Sequence, residues 1–288
     1  MEVERKARIS YEEFMEEHHN PGIPVIFTDA TAVWKAKGLL TPDWFRENYP
    51  DKKSDVNDKV TGKPYTMTEV MDMVENSSVE NPAPYPLTFN ITQEIPEMLD
   101  LLLPLSLNYA KPNWLEDKSF KRGNWGGIIE LFIGGPGGRF PYVHKDFYHL
   151  SAWINQLYGE KRFTVFPRGQ EEFLYVTEKN QWRSEVNIFE PDYEKHPLFK
   201  HATPISFVVG PGETLYIPFG VWHSAYSITP TISVAFDQLN AKNFQLFMND
   251  VWNFKKEHST PKAIAAYAYA FASGAMCRLK DSLSPVRS

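Results

Sequence analysis

The sequence predicts a mainly β protein, a sandwich or barrel with helices added at both ends. Between residues 126 and 240, short runs rich in β-branched and aromatic residues recur with turn residues between most of them. An aromatic share of 15% and 22 prolines also favour many short strands and turns. On either side of that region, capping signals and helical spacing of apolar residues replace the strand pattern. No repeat, low-complexity tract or linker divides the chain, so one structural unit is expected: an N-terminal helical and strand module (1–125) integrated with the barrel, a barrel core (126–240) and C-terminal helices (241–288).

Taken in order, Ser10 caps a first helix to His19 with Glu13 three positions on, and Phe14 is on its buried face. Ile23–Phe27 reads as a buried strand. Thr41 followed by Pro42 starts a second helix, and Thr66 with Glu69 starts a third that ends near Asn76. A strand over Pro86–Ile91 and a short helix over Pro96–Leu103 follow. Six strands are then expected at 128–133, 150–157, 161–166, 205–209, 214–217 and 231–236. Tyr158-Gly159-Glu160 is the expected tight hairpin turn between the second and third of these. Asn243–His258 and a segment from Thr260-Pro261 toward Lys280 form a C-terminal helix pair. Ile264, Tyr267, Phe271 and Ala275 share one face of the second helix, and abundant alanine permits close approach. That pair packs either on its own barrel or on a second copy as a homodimer.

A net charge of −6 without clustered Lys and Arg argues against non-specific nucleic-acid binding. The one cysteine, Cys277, cannot form an intramolecular disulfide, and Met-Glu-Val-Glu-Arg-Lys has no apolar core behind its charges. A cytoplasmic, reducing setting is expected. No run reaches the length of a membrane span.

The chemistry-bearing stretch is Gly134-Gly-Pro-Gly-Gly-Arg-Phe-Pro-Tyr-Val-His144-Lys-Asp146, a glycine-rich loop running into a His-x-Asp pair. In an extended strand, alternate side chains project from one face, so His144 and Asp146 aim at one point. A plausible third ligand is His223, which ends Gly212-Glu-Thr-Leu-Tyr-Ile-Pro-Phe-Gly-Val-Trp-His223, where a strand breaks at proline before a loop and Trp222 gives an apolar wall. Two histidines and one carboxylate, leaving three open positions, suit a non-haem Fe(II) oxygenase. His149 lies outside the His-x-Asp spacing and could stand behind the ligands, face substrate or be merely structural, with the last two favoured about equally. His18, His19, His196, His201 and His258 lie in polar segments and are expected to be exposed. Trp125 and Tyr142 are candidates for a pocket wall, though core roles are commoner for such aromatics.

Over most of the chain the sequence resembles the JmjC-domain family of 2-oxoglutarate oxygenases, particularly its smaller, cupin-8-type hydroxylases. Pro21–Phe27 with Trp34 and Trp44 looks like the family's N-terminal module, and 129–146, 156–167 and 212–223 look like its core motifs. Ser151-Ala-Trp153, with Lys161 seventeen residues after His144, is similar to the spacing in JmjC lysyl hydroxylases. The resemblance implies a double-stranded β-helix (jelly-roll or cupin) barrel, an iron triad of His144, Asp146 and His223, and Lys161 as the cation for the distal carboxylate of 2-oxoglutarate. The open positions accept a bidentate 2-oxo acid and O₂.

Three positions depart from the family pattern: Pro141 where threonine is frequent, Ile154 where several members carry an inward asparagine, and Ala235 where Ser, Thr or Asn is common. Asn155, expected on the other face, and Ser233, two residues before Ala235 on its face, are the neighbouring polar candidates for co-substrate binding. The implied protein is a dioxygenase that hydroxylates a C–H bond of a protein or peptide side chain, with a small molecule close behind. The competing readings are a metal-dependent cupin enzyme that uses no 2-oxo acid, and a non-catalytic protein that keeps the barrel as a binding module.

Overall fold

The computed structural model describes residues 2–103, 108–120, 129–140, 142–177 and 180–283. Local signals set the N-terminal elements. Strand β1 (Glu4–Lys6) precedes helix α1 (Tyr11–Phe14), where the Ser10 hydroxyl accepts from the Glu13 amide, and the chain winds on as a π-helical turn over Met15–His19. β2 (Val25–Phe27) is buried throughout. α2 (Pro42–Asn48) begins on the Thr41 cap with proline in its first turn. β3 (Lys53–Asn57) and β4 (Pro64–Thr66) form a small ladder, and Thr66 opens α3 (Met67–Glu75) through a complete capping box with Glu69. β5 (Leu87–Asn90), α4 (Ile91–Glu94) and a 3-10 turn at Pro96–Leu101 complete the module.

Seven strands follow: β6 (Ile129–Gly134), β7 (Ser151–Tyr158), β8 (Lys161–Phe166), β9 (Ile205–Val209), β10 (Thr214–Ile217), β11 (Trp222–Ser227) and β12 (Thr231–Gln238). They divide between two sheets. The large sheet has the order β1-β2-β10-β7-β12-β6-β5, and the small sheet has the order β11-β8-β9. Backbone bridges at Arg139–Tyr226 and His144–His223 lay the segment after β6 along the free edge of β11 as a fourth, irregular strand. The two sheets face each other as a jelly-roll barrel, with Ala152, Leu215 and Ile217 of the large sheet packed against Phe163, Val165 and Phe207 of the small one.

The outer face of the large sheet is buried as well. Because strand side chains alternate, Trp153 and Tyr216 point away from the barrel interior and meet the N-terminal module. There Phe14 lies 5.0 Å from Tyr216, and Phe27 stacks on Trp153 at 5.7 Å. β1, β2 and β5 join the same sheet, so the module and the barrel share hydrogen bonds as well as a core.

The structure corrects two expectations. The turn Tyr158-Gly159-Glu160 exists, with Gly159 in a left-handed conformation (φ +69°), but it is not a hairpin. β7 pairs with β10 and β12, while β8 pairs with β9 and β11, so the turn carries the chain from one sheet to the other. A side chain at Gly159 would collide with the Pro230 carbonyl oxygen of the adjoining corner. Likewise His18, His19 and His196 are buried, not exposed. The π-helical turn carries His18 and His19 inward, where His19 Nδ1 lies 2.7 Å from the Tyr216 hydroxyl.

α5 (Phe244–Lys256) and α6 (Thr260–Leu283) close the chain. Small residues of α6, including Ala270, Ser273 and Gly274, are buried; a Cβ at Gly274 would strike the Phe244 ring, so only glycine permits this approach. α5 and α6 pack with Trp114, Phe120 and Leu150 in a second core beside the barrel mouth. Among the described residues, no helix is long and apolar enough to cross a membrane.

Candidate functional site

The glycine-rich loop brings two distant parts of the chain into register. Gly138 donates to the Gly135 carbonyl (2.9 Å) to close the turn, and Gly137 sits at φ +79°. From there the chain runs antiparallel to β11: Ser227 donates to the Gly138 carbonyl at 2.8 Å, and Phe140 donates to the Ala225 carbonyl at 3.3 Å. The ladder ends at His144 and His223, which exchange both backbone hydrogen bonds, at 2.9 and 2.7 Å. Directly opposed residues of an antiparallel pair project from the same face. The two imidazoles are therefore neighbours, with ring centroids 4.4 Å apart. Asp146, extended two residues beyond His144, turns its carboxylate to the same point, with Oδ1 3.9 Å from His223 Nε2.

One donor atom from each of His144, Asp146 and His223 lies within 4.8 Å of the others. Donors bound at about 2.1 Å to one metal ion can be at most about 4.2 Å apart, so a small inward adjustment closes the set on a first-row divalent cation. The electrostatics suit such an ion. Burial, aided by His223, holds His144 well below the usual histidine range, which leaves the neutral imidazole that a metal requires. Burial pushes the Asp146 carboxyl up, with His223 opposing, so this carboxylate is stabilised by added positive charge. Among the described residues, His144 Nδ1 is buried without a hydrogen-bond partner. Two histidines and a carboxylate are the donor set of the facial triad.

The triad opens onto a cavity of about 340 Å³ inside the barrel. Interiors pack densely unless inward positions are small, and here Ala152, Ala225 and Ala235 face the space. Phe132, Phe140 and Ile154 supply apolar walls. Lys161, the first residue of β8, also lines this cavity and is only 2% exposed. Burial lowers its pKa to about 7. Among the described residues it has no carboxylate partner: its Nζ donates to Ser233 Oγ (2.8 Å), which donates to Gln156 Oε1 (2.8 Å). Gln156 Nε2 in turn donates to the carbonyls of Tyr158 and Gly159, fixing this chain to the inter-sheet turn. The Tyr85 ring lies 5.6 Å from Lys161 Nζ, and burial pushes its hydroxyl pKa up.

The structure brings together His144, Asp146, His223, Lys161 and Ser233, but it does not bring Asn155 to the cavity. Asn155 is on the outer face of β7, donating to the Val234 carbonyl and accepting from Thr214 Oγ1, so both ends of its amide are used between strands. Ile154 and Ala235 do line the cavity, and at those positions this chain offers no polar group. Tyr142 stands outside it, in a neighbouring groove with Lys145, Trp182 and Arg183. Pro141 and Trp125 lie outside the described residues. Sequence reasoning missed the role of Gln156, and it missed Tyr85, Glu130 and Asp237 in the cavity wall. Only strand parity relative to Ile154 and Ala235 could have pointed to Gln156 and Asp237.

A model of the cupin-like domain matches residues 11–240, which takes in the N-terminal module together with the barrel and its three ligands. The chain belongs to this cupin-like family. Its relatives include proteins named as JMJ demethylases, a lysyl-hydroxylase and an iron-dependent oxygenase. It is 26% identical to a lysine-specific demethylase, JMJ21, of Arabidopsis thaliana over 84% of this chain and 26% of that protein. It is 26% identical to the bifunctional arginine demethylase and lysyl-hydroxylase psr-1 of Caenorhabditis elegans over 83% of this chain and 61% of that one. With the 2-oxoglutarate and iron-dependent oxygenase JMJD4 of Mus musculus it is 27% identical over 43% of this chain and 28% of the relative. The cupin-like chain thus spans less than two thirds of the length of these relatives.

A buried ammonium with one hydrogen bond costs stability unless a ligand repays it. Lys161→Met is expected to leave the ligand-free protein as stable as the wild type or up to about 4 kcal/mol more stable in urea unfolding, within the range for apolar replacement of buried charges. A large loss of stability would mean that Lys161 serves the fold.

Proposed function

We propose that this cupin-like protein is an Fe(II)- and 2-oxoglutarate-dependent dioxygenase that hydroxylates a C–H bond, with a protein or peptide side chain as first-choice substrate and a small molecule as second. One observation carries the reading: a three-ligand cluster and a buried, carboxylate-free ammonium share a single cavity. His144, Asp146 and His223 would hold the iron, and Lys161, held by Ser233 and Gln156, would receive the distal carboxylate of 2-oxoglutarate. Tyr85, whose ring lies 5.6 Å from Lys161 Nζ and whose hydroxyl burial keeps protonated, would be a second donor. When bound, the iron with O₂ supplies the oxidation in which 2-oxoglutarate loses CO₂ to become succinate and the substrate C–H becomes C–OH.

The chain's own residues orient and exclude. Phe132, Phe140 and Ile154 keep water from the reacting centre, and the fixed Lys161 sets how far the co-substrate reaches toward the triad. Glu130 and Asp237 line the same cavity; burial raises their carboxyl pKa values, and the Asp146 charge adds to both. A basic side chain would relieve that repulsion. The relatives psr-1 and JMJ21 are named for arginine and lysine, which supports the same substrate class here.

We also propose a cytoplasmic homodimer. The outward face of α6 exposes Ile264, Phe271, Leu279 and Leu283 along a helix of 24 residues, an apolar stripe that a second copy would cover. The solution mass should be twice that of the chain and should halve in Phe271→Glu; a monomeric wild type contradicts the dimer.

The activity test follows succinate. Iron-loaded protein given 2-oxoglutarate, O₂ and peptides that present lysine or arginine should release succinate and gain one oxygen atom on the peptide, and His144→Ala should release none. Release that is independent of iron, or equal in His144→Ala, would sink the assignment.

Lys161 also predicts a pH dependence. Its pKa is lowered to about 7 in the free protein and must rise when a carboxylate pairs with it. Affinity for 2-oxoglutarate in the Mn(II)-loaded protein is therefore full below about pH 7 and falls by up to about tenfold per pH unit above it, until the pKa of the complex is passed. A flat profile from about pH 6 to 9 would remove Lys161 from the co-substrate site.

A further inference from the structure

The segment that follows Asp146 is held in an unusual conformation. Tyr148 (φ 58°) and His149 (φ 49°) are consecutive non-glycine residues in the left-handed region. A Cβ makes this sterically costly, so such residues persist only where the surroundings over-determine them. Phe147 and Tyr148 both line the cavity, and Asp146 precedes them directly.

What over-determines them is one face of α5 and its cap. Asn243, Phe247, Asp250 and Phe254 recur at helical spacing, and each addresses this turn. Asn243 Nδ2 donates to the His149 carbonyl (2.9 Å) and to the Gln238 carbonyl (3.0 Å), tying the turn to the end of β12. Asp250 Oδ2, on a residue only 6% exposed, lies 2.6 Å from His149 Nδ1. The Tyr148 ring packs at 5.8 Å from Phe247 and 5.2 Å from Phe254. Trp182 completes the enclosure, 5.2 Å from the His149 ring and 5.5 Å from Phe254. His149 also abuts Gly220, three residues before His223. α5 lies outside the stretch that the family model matches, which ends at residue 240.

We propose that this face of α5 is a clamp that fixes the turn after Asp146, and that His149 and Asp250 are positioning residues for the ligand set. The proposal rests on the metal reading above for its consequence, but not for its geometry. Removing the hydrogen bond frees the left-handed turn to relax, and Asp146 then loses its fixed aim while His144 and His223 stay locked by their backbone pair.

The test uses the full-length chain and two readouts: Co(II) titration followed by the metal's visible absorption, and amide hydrogen exchange over 146–150. Asp250→Ala should exchange faster at 147–150 and bind Co(II) roughly tenfold or more weakly, as outer-shell losses do, while Asp250→Asn, which keeps a hydrogen-bonding group of the same size, should recover most of both. Should Asp250→Ala fail to fold, His149→Ala removes the same bond from the other side and is read identically. Wild-type exchange and wild-type Co(II) affinity in a folded variant would overturn the clamp. If the wild type itself binds no Co(II), the metal centre falls, and the exchange rates alone uphold or overturn the clamp.

Discussion

The candidate site depends on a reciprocal pair of backbone hydrogen bonds. His144 and His223 are far apart in the chain, and neither position is locally disposed to meet the other. The exchange of amide and carbonyl between them (2.9 and 2.7 Å) places both imidazoles on the inner face of the small sheet. Everything upstream serves that register. The glycines at 135, 137 and 138 let the chain leave β6, turn and enter alongside β11, and the corner at Gly159 carries the next strand into the same sheet. Slipping the His144 segment by one residue against β11 would turn His144 to the opposite face while β8 keeps His223 in place.

The second constraint is the hollow itself. A barrel of this size would ordinarily fill with side chains. Three alanines and a buried lysine keep it open, and that lysine is a stability cost that a purely structural core would not retain. The His144, Asp146 and His223 cluster at one point of the cavity and the buried Lys161 at another would, on the proposed reading, set the length and polarity of what fits between them. Glu130 and Asp237 also line the cavity, and burial raises both of their carboxyl pKa values. The α5 clamp adds a third layer, because it stabilises a costly turn beside one ligand from a helix beyond the family domain.

Much of this was legible in the sequence because it was local. Ser10, Thr41 and Thr66 announced their helices through side chains that cap the nearest amides. The strands from β6 to β10 were legible as apolar runs, and the family-like spacings drew attention to His144, Asp146, Lys161 and His223. What failed was non-local. β11 reads Trp-His-Ser-Ala-Tyr-Ser, without a β-branched run, and becomes a strand through its partners on both edges. The Tyr158–Glu160 turn was recognisable, but turn chemistry does not say which sheet the next strand joins. Asn155 was a nearby amide on the wrong side of the pleat, where strand parity outweighs proximity. The support of Lys161 by Ser233 and Gln156, and of His149 by Asp250, joins residues too far apart for any spacing rule.

The central claim is that the two ends of one cavity hold a metal ion and a 2-oxo acid together. A crystal structure of the Mn(II)-loaded protein with 2-oxoglutarate addresses it most directly. The account predicts one metal ion about 2.0–2.2 Å from donors of His144, Asp146 and His223, with the distal carboxylate of the co-substrate about 2.7–2.9 Å from Lys161 Nζ. A metal held by other residues, or a carboxylate bound away from Lys161, would contradict it.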